Sequence, residues 1–147
     1  MDRGLAVVLT AAVGGLVATQ APVNSHLGRN VGTFQAATFS FLCGTIVLAL
    51  IASLAAGGLG SLGQVRDIPI GYLTGGLLGA AYVTTVLVTV RTLGAGGVSA
   101  ATITGQLGTA VVIDHFGLVG VDKHPISVQR IVGVALLIAG TFLIVRD

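Results

Sequence analysis

Five stretches of this chain, residues 4–27, 34–56, 69–90, 97–117 and 126–145, are nearly free of charge and long enough to cross a lipid bilayer as helices. At 1.5 Å per residue, about 20 apolar residues match the roughly 30 Å hydrocarbon core. Such a segment satisfies its own backbone hydrogen bonds, which lipid cannot do for it. The pattern predicts an all-α, polytopic membrane protein with five transmembrane helices, forming a single transmembrane domain over residues 1–147. A water-facing fold is excluded on composition: 54% of the residues are hydrophobic and 8% are charged, against about 25% charged in a soluble domain.

The gaps carry the expected punctuation. Gly28-Arg29-Asn30-Val31-Gly32 reads as a turn, with Thr33 as N-cap of the second segment. Residues 57–67 form a glycine-rich loop bearing Arg66 and Asp67, residues 92–96 a tight link, and residues 121–124 the last polar loop. Pro69 and Pro125 fall where a first helical turn tolerates proline. Arg3 precedes the first apolar run, and Thr19-Gln20-Ala21 loosely resembles a signal cleavage site. That run continues past the site and four more follow, so the first segment reads as a span.

Orientation follows the distribution of Lys and Arg between the two sides. Alternating across five helices puts Arg3, Arg66, Lys123 and Arg130 on the N-terminal side, and Arg29, Arg91 and Arg146 on the other. Four against three is almost no bias, so the chain is expected to insert both ways up. Two copies in opposite orientation would reproduce the inverted repeat that many transporters build within one chain. The basic residues are scattered singly, which argues against nucleic acid despite a sequence pI near 9.2.

Helices in lipid associate through small residues. Gly71, Gly75 and Gly79 make two overlapping GxxxG units in the third segment, and Gly14 lies on a small-residue face of the first. These four are the expected helix-packing positions. Polar groups inside an apolar span are functional candidates by default. Gln20 and Asn24, four residues apart, share a face of the first segment. Ser99, Thr102 and Gln106 form a polar stripe along the fourth, with Gln106 near the middle. These five residues are the expected lining of a substrate cavity. Asp114 is the one acid between apolar neighbours and stands next to His115. The pair is the candidate for proton coupling or gating, the alternative being that Asp114 pairs with Arg130 or Arg66 and orients a loop. Arg91 reads as a snorkelling side chain, Tyr72 and Tyr82 as anchors or packing residues, and Cys43 as a small apolar residue. No nucleophile–base pair, phosphate loop or metal-ligand cluster is present in the sequence, so neither enzyme chemistry, a cofactor nor a metal is expected.

Taken together, Gln20-Ala-Pro-Val-Asn24 with Leu27-Gly28, Ser40-Phe-Leu-Cys-Gly44-Thr45, Gly75-Gly-Leu-Leu-Gly79-Ala-Ala-Tyr82-Val83, Gly105-Gln106-Leu107, Ile113-Asp114-His115-Phe116-Gly117 and the later Arg130, Gly133 and Gly140 resemble the YdcZ-like family of the drug/metabolite transporter superfamily. The resemblance covers nearly the whole chain. It implies a five-helix half of a ten-helix transporter, assembled as an antiparallel dimer or with a related half, exporting small molecules across the bacterial inner membrane. Small multidrug exporters of that superfamily carry a glutamate in the first helix; here that segment has no acid. The expected function is therefore a small-molecule secondary transporter, an exporter by resemblance, working by alternating access. A dual-topology ion channel and a non-transporting membrane subunit are the alternatives.

Overall fold

The computed structural model describes residues 2–55 and 57–146, and no strand occurs among them. The elements are α1 (Arg3–Val31), α2 (Thr33–Ala55), two short 3-10 helices (Gly60–Asp67 and Ile70–Thr74), α3 (Gly75–Phe116), a 3-10 turn (Leu118–Gly120) and α4 (Val128–Arg146). Four helical stretches are long and apolar enough to cross a membrane, and most of their residues are not buried within the chain, the third having the largest buried share.

The third of these is the sequence's third and fourth segments run together. α3 counts 42 residues, about 63 Å or twice the hydrocarbon core, but Gly94 within it has φ 67° and ψ 173°. That conformation is open essentially only to glycine. It divides α3 into arms over 75–93 and 95–116, about 28 Å and 33 Å long, each sufficient for one crossing. The link expected over 92–96 is thus one non-helical residue.

Other boundaries move for local reasons. The turn expected at 28–32 is helical as far as Val31, because polar residues at a membrane surface can extend a helix. α1 stops at Gly32, with φ 99°, where a Cβ would collide with the Gln35 side chain. Gly71 lies in the 3-10 turn and Gly75 opens α3, so the first expected GxxxG unit is not on an α-helical face. The glycines and the proline of residues 69–76 disfavour α-helix there. α4 begins at Val128, after Ser127, whose Oγ accepts a hydrogen bond from the Arg130 amide at 3.3 Å.

The chain forms two compact units, one from residues 2–20 and 89–146, the other from 21–55 and 57–88. The second is held by small residues and interhelical hydrogen bonds. Ala21, Gly28, Ala36 and Ala37 are buried, and Leu87 is 1% exposed. Asn24 Nδ2 donates to Ser40 Oγ at 3.0 Å, tying α1 to α2, and Ser25 Oγ donates to the Leu87 carbonyl at 3.2 Å, tying α1 to α3. Interhelical bonds of this kind contribute about 0.6 to 2 kcal/mol each in a membrane. Gly79 faces Phe41, whose ring lies 3.4 Å from where a Cβ would stand. Of the four glycines assigned to helix packing it alone has a close neighbour: Gly14, Gly71 and Gly75 meet nothing within 4 Å.

Candidate functional site

The first unit contains most of the polar candidates. The arm over 95–116 packs against α4 through two threonines absent from the sequence-based expectation. Thr104 Oγ1 lies 2.6 Å from Thr141 Oγ1, and each also approaches the Ala100 carbonyl, at 2.9 Å and 3.1 Å. Two hydroxyl protons serve these three contacts, so both donors are used inside the helix pair. The only sequence signal for Thr141 was a hydroxyl within an otherwise apolar helix. Nothing in the sequence pairs it with Thr104.

Ser99, Thr102 and Gln106 lie on another side of the same arm. At 100° per residue Gln106 falls within about 40° of both, whereas Thr104 is about 140° from Ser99. Ser99 and Thr102 are half-buried, and Gln106 is exposed. Among the described residues the Gln106 amide has no hydrogen-bond partner. Gln20 in the same unit is likewise exposed. Asn24, expected to share a cavity face with it, is instead buried and bonded to Ser40.

Asp114 and His115 close the arm. Arg130 Nη1 stands 3.1 Å from Asp114 Oδ2 and 3.4 Å from the His124 carbonyl, to which it donates. The His124 amide donates to the Asp114 carbonyl at 2.8 Å, and the Ile126 amide to His115 Nδ1 at 3.2 Å. Gly117, with φ 64° and ψ 41°, ends the helix in the left-handed conformation usual just past a helix C-terminus. Together these contacts stitch the loop over 117–127 onto the helix end. Of the two partners open from sequence, Arg130 is the one in contact. It offsets the repulsion between a carboxylate and the negative end of the helix dipole. The two side chains are about one-third exposed, which caps the pair at roughly 1 kcal/mol. Arg130→Gln is therefore expected to lower the unfolding midpoint in detergent by a few degrees while secondary structure by circular dichroism stays unchanged. A drop of 10 °C or more would show that the clamp carries far more than a screened ion pair.

A groove of about 530 Å³ also lies in this unit, between the 95–116 arm and α4. Its walls are almost wholly apolar, and none of Gln20, Ser99, Thr102 and Gln106 lines it. The amide stripe and the groove are separate features.

A family model described as “Putative inner membrane exporter, YdcZ” matches residues 5–143, nearly the whole chain. No curated protein and no solved structure matches the chain.

Proposed function

The chain belongs to the YdcZ family, and we propose that it exports a small molecule as one half of a secondary transporter, beside a second copy inserted upside down. It is a multi-pass protein of the bacterial inner membrane. The observation that supports the pairing most is Gln106. A primary amide without a partner on an apolar helix is costly in lipid, by roughly 1–3 kcal/mol on the scale measured in proteins. A second copy, a related half or a watered cavity removes that cost. The absence of Lys/Arg bias, four against three across five crossings, supports an inverted second copy over a parallel one.

In this reading Gln106, Ser99, Thr102 and Gln20, all in the first unit, offer amides and hydroxyls to the cargo without a fixed charge, while Asn24 stays in its bond to Ser40. The cargo is then a small polar molecule held by neutral hydrogen bonds. Asp114 is the group through which proton coupling would run, because its protonation would release Arg130 and loosen the loop over 117–127.

Reconstituted protein is expected to give saturable, gradient-dependent flux of its substrate. Gln106→Leu should cut the initial rate at least tenfold while the protein still elutes as wild type on size exclusion. Wild-type flux that rises in proportion to concentration without saturating would favour a channel. Wild-type rates in the leucine variant would remove Gln106 from the path. Asp114→Asn is expected to flatten the pH dependence of transport, and an unchanged pH profile would take proton coupling away from Asp114.

A further inference from the structure

The apolar groove of the first unit has no part in the transport path proposed above, and its chemistry is different. Its lining includes Leu93, Ala101, Thr104, Ile138 and Thr141. The threonine hydroxyls spend their protons on each other and on the Ala100 carbonyl, so they offer a ligand no donor. A polar ligand has little to recognise there, whereas a hydrocarbon chain fits. From Ile138 to Arg146, the stretch of α4 along the groove is about 12 Å long. The groove therefore reaches from the helix end into the outer half of a hydrocarbon core about 30 Å thick.

The mouth is charged. Arg146 lines the groove, and its guanidinium carbon lies 5.8 Å from the centre of the Phe142 ring, another lining residue. Residues four apart share a helix face. The cation is therefore held on the groove side of α4, where the negative end of the helix dipole also attracts it. An apolar slot with an arginine at its membrane-surface end is complementary to an amphiphile of one kind: a hydrocarbon tail under an anionic head. Basic pockets between transmembrane helices bind acidic lipid headgroups in this way, and the planar guanidinium suits a phosphate.

We propose that this groove binds a membrane phospholipid of net negative charge, with one acyl chain between the 95–116 arm and α4 and its headgroup phosphate on Arg146. The lipid fills a space that neither helix fills and holds the two helices together along the groove. A zwitterionic lipid of the same chains would enter the slot but gain less at the mouth, because its own ammonium competes for the phosphate.

Native mass spectrometry of the purified protein, titrated with phosphatidylglycerol or phosphatidylcholine of matched chains, tests this. The wild type is expected to retain phosphatidylglycerol about tenfold better, the scale of one charge-assisted hydrogen bond. Arg146→Gln should bring the two lipids within about twofold of each other. Ala101→Leu, which fills the slot from the arm side, should reduce retention of both. Equal retention of the two lipids by the wild type overturns the proposal, and so does an undiminished preference in Arg146→Gln. If Ala101→Leu leaves lipid retention intact but shifts the monomer–dimer balance, a second copy covers the groove and the lipid does not. Should the leucine variant fail to fold, the Arg146→Gln comparison decides alone.

Discussion

A chain with valine in place of Gly94 is expected to accumulate as folded protein at less than about a tenth of the wild-type level. Gly94 combines φ 67° with ψ 173° in the middle of α3, a combination that costs a residue with a side chain about 1–3 kcal/mol or more. Valine adds the stiffness of a β-branched side chain. Its easiest escape is to continue the helix through position 94. The two arms would then become one rod of about 63 Å, twice what a bilayer core accommodates. Size-exclusion profiles of a fluorescent fusion read the outcome directly. Gly94→Ala should fall between wild type and valine, because alanine bears the steric penalty without the branching. A valine variant with a wild-type profile would mean that the break is not needed for insertion.

The break also marks where sequence reading succeeded and where it stopped. Five apolar runs were visible because crossing lipid imposes both a length and a composition on a segment. The ends of the runs were less legible. Gly28 to Val31 look like a turn because a glycine precedes the polar pair Arg29 and Asn30, yet nothing prevents them from being helical until Gly32 takes a positive φ. Ile70 to Thr74 look like the first turns of a helix because the stretch is apolar, yet the neighbouring glycines and proline leave it as a 3-10 helix before α3 opens at Gly75. In the candidate site, residues whose peculiarity is intrinsic stand out in the sequence: an amide in an apolar helix at 106, an acid at 114. Residues that matter through a partner were not. Thr104 and Thr141 are ordinary until α4 is laid on the arm, and Ser40 gains its role only from Asn24 across the helix pair. Periodicity places a residue on a face; it does not say which face comes to meet it.

The second large effect concerns orientation. Adding two lysines to the N-terminal side of the membrane, Ser61→Lys with Gln64→Lys, is expected to lock the chain one way up and reduce transport to background. Asn30→Lys, Val31→Lys, Thr92→Lys and Ala95→Lys together, which give the other side seven basic residues against four, should lock it the other way with the same loss. Cells that express both variants together should recover at least half of the wild-type rate, because each supplies the orientation the other lacks. The reasoning is that four basic residues against three leave the orientation near balance, whereas six against three, or seven against four the other way, is a bias of three charges on short loops and decides it. Reporter fusions at the C-terminus check the orientation of each variant independently of transport. If either variant alone transports at the wild-type rate, the working unit does not need opposed copies.

Gly94 has one more consequence, as a depth gauge. Where a helix is interrupted, the last carbonyls before the break and the first amides after it lose their helical partners. Hydrocarbon offers them none, so the interruption belongs among the hydrated headgroups. Counting from it along the arm, Gln106 lies about 18 Å down and Asp114 about 30 Å. The amide therefore falls close to the driest plane of the bilayer, and the Asp114–Arg130 pair emerges into the opposite headgroup layer. One glycine thus sorts the arm's chemistry by water content: a neutral amide at the centre, an ion pair at the edge.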